Sequence, residues 1–359
     1  MTPMPPPENP NPAGSAGDPV PRVRLSGPGE LLALIPYLLG FHPSDSLVSV
    51  GLRNDQVAFT LRVDLPPPGG AFSSSSVDWL VSTLSGQALT GIVLVGYGGS
   101  AQVGPPMAAL AAALHTAAVP LVDRLRVCDH RFWSYDCADP TCCPPTGRSF
   151  AAEHNRIAAE AAYVGLVALP DRADLESRVA PVGGPHRVAM ERARHAADLR
   201  RQSIVDSAVD ADTATGLLVL AGTVAVHDAL QRYQSSADAN LTDDEVAWLA
   251  LSLHNIDVRD AAWRRCDKGD LNRHRALWTD VTRRAPRRDV APPAALLGYV
   301  CWQQGDGALA GIALSRALSA DPRYQMAGLL LQVIAAGMPP ESWRVADSDH
   351  DTVDEEEDA

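Results

Sequence analysis

The chain has 359 residues, 46% hydrophobic and 20% charged, enough for two or three domains with substantial cores. Its net charge of −13 disfavours a polyanion, so no nucleic acid partner is expected. A membrane-crossing helix needs about 20 apolar residues, and the longest apolar stretch, 214–226, is short and interrupted by Thr and Gly, so no membrane association is expected.

Aromatic residues make up only 5%, so the cores must be built from Ala, Val and Leu. Lys268 is the single lysine; the arginine excess follows from composition and by itself indicates no phosphate site. Residues 1–22 are rich in Pro, Gly and Asn and read as a disordered tail without a signal peptide. Residues 346–359 read as a second, acidic tail. The expected setting is cytoplasmic, where thiols stay reduced.

In chain order, residues 28–40 place Leu31, Leu32, Ile35, Leu38 and Leu39 on one helical face. Ser26 is the candidate N-cap, Gly40 can close the helix, and Pro36 is set to kink or shorten it. Strands follow at 45–52 and 56–65, joined by a turn at Asn54-Asp55. In the second, Val57, Phe59, Leu61 and Val63 alternate with wetter positions, giving one buried face. A loop at 66–76 leads to a helix at 77–89. The continuous apolar run at 91–97 predicts a strand covered on both faces. A helix at 105–118, a strand at 121–127 and a returning strand at 131–135 complete an α/β domain with a mixed sheet over 23–148.

From 149 to 345 an all-α domain is predicted, with helices at 151–169, 185–209, 213–233, 242–253, 258–266, 270–284, 293–304, 308–319 and 324–336. Thr242 and Glu245 have the spacing of a capping box. Gly269-Asp270 ahead of Pro286 is echoed by Gly305-Asp306 ahead of Pro322. The second copy has a tetratricopeptide-like pattern: Leu297-Gly298, then Ala310, Leu314, Ala317 and Pro322. Ala294 and Cys301 stand where the signature Trp and Tyr would be, so the reading is a helical hairpin with the same close packing, not a full solenoid.

Chemistry concentrates in residues 128–150, which hold four of the six cysteines. Cys137, Cys142 and Cys143 are spaced C-x4-C-C, with Cys128, His130 and His154 nearby in sequence. Three readings fit: thiols packed in a Pro-stiffened loop, a zinc site completed by Cys128 or a histidine, or a redox pair of Cys137 with Cys142. Just before them, Arg131, Trp133 and Tyr135 share one strand face with Ser134 on the other. That face can bind a planar or anionic ligand, or sit half-buried in a hairpin.

Between the first helix and first strand, His42, Ser44, Asp45 and Ser46 fit turn chemistry better than a catalytic triad, because near neighbours rarely converge. Gly96, Gly98 and Gly99 follow a strand but do not complete G-x-G-x-x-G, so a flexible turn is the better reading there. Arg259-Asp260 fits a local ion pair or cap.

The runs LLALIPYLLGFHPSDSLVSVGL, RFWSYDCADPTCCPPTG, VRD at 258–260 and GDGALAGIALSRALSADPRY resemble the actinobacterial domain of unknown function 4192 family, over residues 23–344. The resemblance implies the architecture and an actinobacterial, cytoplasmic setting; it implies no reaction. Two functions follow as expectations. One is an interaction or regulatory protein offering a helical surface to a protein partner, with a groove on 293–336. The other is a small-ligand binder or enzyme whose site near the cysteine loop draws on Asp45, Ser46, Arg131, Trp133 and Tyr135, with Arg259 and Asp260 as further ligand contacts.

Overall fold

The computed structural model describes residues 27–54, 56–163, 166–235, 240–268, 270–338 and Pro340. Both tails, the expected N-cap Ser26 and the turn residue Asp55 lie outside them. Contacts divide the chain into two units, residues 27–77 with 89–171 and residues 78–88 with 172–340.

The first unit opens with α1 (Pro28–Leu39), capped by Gly27 and closed by Gly40 at φ 76°. The helix runs through Pro36 instead of breaking there. Pro36 removes one backbone hydrogen bond, but burial of Leu31, Leu32, Ala33 and Ile35 outweighs that loss. β1 (Ser46–Arg53) and β2 (Gln56–Asp64) pair antiparallel, with Ser46 opposite Asp64. β2 is an edge strand, so its alternating apolar set is half-buried at most. α2 (Ser74–Ser85) starts three residues before its expected position. β3 (Gly91–Tyr97) is buried at every residue, as a strand covered on both faces must be.

α3 (Ser100–Thr116) begins five residues earlier than expected and carries Pro105 and Pro106 inside it. Pro105 cannot bond the carbonyl of Ala101, and the Gly69 amide takes that carbonyl instead at 3.3 Å. The glycine segment before it is thus the entry to a helix, with Gly99 as N-cap, and not a free-standing turn. β4 (Leu121–Cys128), β5 (Arg131–Ser134) and a two-residue β6 (Arg148–Ser149) complete a sheet of order β2-β1-β3-β4-β5-β6. It is mixed: β3 and β4 run parallel across the α3 crossover, and the other pairs are antiparallel. α4 (Ala151–Tyr163) packs on α1, where Arg156 pairs with Glu30 at 2.6 Å, so this unit extends to Asp171, beyond residue 148.

The second unit is helical. Its helices are α5 (Arg172–Ser177), α6 (Gly184–Ser207), α7 (Ala211–Ser235), α8 (Asp243–Ser252) and α9 (Ile256–Lys268), followed by α10 (Leu271–Arg284), α11 (Ala291–Gln303), α12 (Gly307–Ala320) and α13 (Gln325–Ala335). The chain thus holds thirteen helices among the described residues. Residues 78–88 belong here because Thr83 Oγ1 and Gln87 Nε2 donate to the carbonyls of Ala335 and Ala336. The Thr242 capping box is present in both directions on α8. The Gly-Asp echo is a capping echo: Asp270 accepts the Asn272 amide to start α10, and Asp306 accepts the Leu309 amide to start α12.

All thirteen residues of α11 are buried, making it the centre of this unit. Gly298 lets α12 come close: a Cβ there would lie 2.6 Å from Leu314 Cγ and 3.3 Å from the Ala310 carbonyl. α11 is thus core throughout, whereas α13 buries Met326, Ala327 and Leu330 and leaves Leu329 61% exposed. α7 packs against α6, α8, α9 and α10. By length and composition alone it is apolar enough to cross a membrane, being longer than the 214–226 stretch suggested.

Candidate functional site: three thiols on a loop of the sheet edge

The loop from 135 to 147 leaves β5 and returns as β6 at one edge of the sheet. Its start is fixed by Ser134, whose hydroxyl donates to Asp123 Oδ1 at 2.7 Å and accepts the amides of Asp136 and Cys137, both at 3.1 Å. Arg124 binds the Asp136 carboxylate through Nε and Nη2, and that hydrogen bonding, ahead of opposing burial, holds the carboxyl below its usual range.

The predicted residues of β5 fix the other end. Arg131 Nη1 donates to the Gly147 carbonyl at 2.8 Å, and Trp133 Nε1 to the Pro145 carbonyl at 2.9 Å. Gly147, at φ 76°, leaves no room for a side chain: a Cβ would sit 2.6 Å from the Trp133 ring. The opposite partner of Trp133 is internal as well, since the Arg126 guanidinium stacks 3.6 Å from its centroid. The cationic and aromatic face is therefore real but is occupied from within the chain. Phe132 alternates with it and enters the core against Phe150. Tyr135 is exposed just past the strand, its amide bonded to the Arg124 carbonyl.

Between these two anchors, Asp139 folds the loop back on itself. Its carboxylate accepts the Thr141 amide at 2.8 Å, and its carbonyl accepts the Cys143 amide at 2.7 Å. The result brings the sulfurs of Cys137, Cys142 and Cys143 within 4.8 Å of one another, the last two 4.0 Å apart. Among the described residues this cluster consists of those three. The Asp139 amide, then the Cys143 and Cys142 thiols, hydrogen-bond the Cys137 sulfur and lower its pKa. Cys143 is pushed up to about 11, chiefly by Cys137.

The other sequence candidates fall elsewhere. Cys128 faces Asp129 at 3.5 Å. His130 and His154 act on His42 instead, whose ring lies 5.8 Å from that of His154. Burial first, then the charges of His154 and His130, lower the His42 pKa. Asp45 sits exposed at φ 44° ahead of β1 and offers its carbonyl to the Leu65 amide. Ser46 is fully buried opposite Tyr97 on β3, and neither hydroxyl finds a hydrogen-bond partner among the described residues. Arg259 and Asp260 lie in the second unit, on α9, and pair with each other at 2.6 Å.

Two polar constellations in the second unit escape a reading of the sequence. Cys266 and His274 meet in the core, Sγ to Nδ1 at 3.4 Å, with burial pushing His274 down to about 4. Asp289, 2% exposed, joins Arg194 to His254 across long sequence separations. Local spacing carries no sign of either; both depend on which helices pack together.

No curated protein and no solved structure matches this chain. The family model described as Domain of unknown function (DUF4192) matches residues 28–341, most of the chain, and the protein belongs to that family.

Proposed function

We propose that the protein is a thiolate-metal protein whose first unit binds one zinc-class cation through Cys137, Cys142 and Cys143. The convergence of their three sulfurs within 4.8 Å carries this reading. Tetrahedral zinc with Zn–S near 2.3 Å sets its sulfurs ~3.8 Å apart. Closing the set therefore needs a shift of about 1 Å or less in a surface loop that is already anchored at both ends. Binding displaces thiol protons, so affinity rises with pH. Cys137 supplies the first thiolate, and the metal pays the cost of ionising Cys143.

Three protein ligands leave one tetrahedral position for an outside donor. That is the arrangement of ligand-binding and catalytic sites, whereas closed structural sites use four protein ligands. In this reading the loop is rigid enough to orient the cation, and the open position receives a small-molecule or partner ligand. A reducing, cytoplasmic setting suits it, because oxidation of any pair of these thiols would abolish the site.

The test is metal content after reduction and zinc reconstitution, with cobalt substitution as a second readout. Wild type is expected to hold one equivalent and to show thiolate-to-cobalt charge transfer. Cys137→Ser, Cys142→Ser and Cys143→Ser should each lose both, while Cys128→Ser retains them. Wild type without stoichiometric metal, or serine variants that keep it, would overturn the assignment.

A second reading, binding of a protein partner by the helical half, is supported by α7. Leu217, Leu220 and Val224 follow helical spacing and stay exposed, Leu220 at 61%. The occupant taken first is a second copy of the chain. Light scattering should report an oligomer for wild type and a monomer for Leu220→Glu, with the unfolding midpoint nearly unchanged. A monomeric wild type sinks this reading.

A further inference from the structure

The second unit has an open cavity of about 610 Å³ at its surface, within the size range of small-molecule sites. Four of its lining residues, Arg187, Arg283, Arg287 and Arg316, have no carboxylate partner among the described residues. Glu191, also in the lining, is paired with Arg288 at 3.3 Å. Arg284 is neutralised by Asp243 and Asp280. In a protein of net charge −13, this concentration of uncompensated cations is the reverse of the general surface.

Arg316 and Arg187 are the two costly positions. Arg316 donates through Nη2 to the Thr282 carbonyl at 2.8 Å, while its buried Nη1 has no partner among the described residues. Burial first, and then the charge of Arg283, push Arg316 down to about 10. A buried guanidinium left this way loses hydration without replacement. Arg283 is favourably placed in the last turn of α10, near the negative end of the helix dipole. Arg187 is not: it lies in the first turn of α6, where the dipole repels a cation. Arg287 spends one donor on the Ser319 carbonyl at 3.1 Å and keeps the rest.

The same cavity receives the amino end of α6. Gly183 is its N-cap with no side-chain cap, and both Gly183 and Gly184 have open space where a side chain would stand. The Val182 amide donates to the Arg283 carbonyl at 2.9 Å, which fixes this segment against the end of α10. The amino end of a 24-residue helix, with Gly183, Gly184 and Arg187 in the lining, thus borders the cavity beside the guanidiniums. Met190, Pro286 and Val290 give it an apolar wall.

We infer that this cavity is a binding site for a phosphorylated small molecule, with the phosphates at the arginines and the α6 amino end, and an apolar body against Met190 and Pro286. Four guanidiniums without a carboxylate partner among the described residues exceed what a single carboxylate would neutralise, and an open glycine pair at a helix amino end lets phosphate oxygens reach backbone amides. The site is independent of the thiol cluster, and either can fail without the other.

The experiment is calorimetric titration of the full chain, in low salt, with inorganic pyrophosphate, ADP, adenosine and citrate as probes. Pyrophosphate and ADP should bind, adenosine should not, and affinity should fall as salt rises. Arg283→Ala and Arg316→Met should each weaken binding roughly ten- to hundredfold, the range for charged hydrogen bonds. Arg172→Ala, which removes an arginine on α5 paired with Glu176, should leave it unchanged. Arg283 is exposed, so its alanine variant keeps the fold; Arg316→Met removes a half-buried cation without a carboxylate partner among the described residues and should unfold no earlier than wild type. Absence of pyrophosphate and ADP binding to wild type, or unchanged binding in both cavity variants, would overturn the site. Citrate binding more tightly than pyrophosphate would overturn the phosphate assignment.

Discussion

Asp289→Ala is expected to destabilise the second unit by about 3–5 kcal/mol, the cost of stranding one member of a buried ion pair. Asp289 Oδ2 accepts Arg194 Nε at 2.5 Å, and its Oδ1 accepts Arg194 Nη2 at 3.3 Å and His254 Nε2 at 3.0 Å. Arg194 is itself 9% exposed, and without Asp289 only Asp198 would remain to balance it. Replacing both partners should cost much less. In Arg194→Met with Asp289→Leu neither charge is left unpaired, so the double variant should recover most of the loss. Urea unfolding of the three variants measures this, and an additive double variant would refute the coupling.

The same carboxylate gives acid sensitivity a definite sign. Burial opposes its ionisation, but hydrogen bonds from His254 and Arg194 win and hold its pKa below the usual value. A depressed folded pKa means the stabilisation is present above the unfolded pKa of about 3.9 and is lost as pH falls below it. Asp289→Asn should remove this component of acid denaturation. An unchanged acid limb in that variant would assign it to other carboxylates.

Trp278→Ala is expected to cost about 3–5 kcal/mol, the range for deleting a buried aromatic side chain. Trp278 is fully buried on α10, on the face that also carries Leu277 and Val281. α10 in turn packs on the central α11, so the cavity would open beside the core of the unit. Among the described residues its indole nitrogen has no hydrogen-bond partner. Phenylalanine would therefore remove an unsatisfied donor while keeping most of the ring, and Trp278→Phe should lose less than half as much. A lower midpoint at unchanged denaturant slope is the expected signature. Equal costs for the two variants would show that the ring does not fill the site as described.

Much of the fold was legible because it depends on short-range chemistry. The run 91–97 has the uninterrupted apolar character of a doubly covered strand, and the Thr242 to Glu245 box states a helix start outright. The Gly-Asp echo was visible before its cause, which is two aspartate caps. Where the sequence misled, a distant group had compensated a local penalty. Pro105 reads as a helix start, yet α3 begins at Ser100 because Gly69 accepts the role of the missing amide. β6 is two residues long and α5 six, too short for periodicity to show.

The thiol cluster was half legible. C-x4-C-C announces three cysteines, but their convergence depends on the Asp139 turn and on anchors from Ser134, Arg131 and Trp133. The arginine cavity was not legible at all. Its walls come from the start of α6 and the segment before it, the end of α10 with the turn that follows, and the end of α12, and in a chain whose basic residues are nearly all arginine no single position stands out.

The assignment of residues 78–88 to the second unit has a consequence for how the protein is made. The unit's first piece leaves the ribosome before most of the sheet, whereas the carbonyls that Thr83 and Gln87 bind, at Ala335 and Ala336, come some 250 residues later. At roughly 5–20 residues per second that is a wait of about 10–50 s. The early segment must stay available throughout, and its docking is among the last contacts the chain can form. Cleaving the backbone between 171 and 172 would for the same reason fail to yield two whole halves: the carboxyl fragment would lack a strip of its own surface, still tethered inside the other.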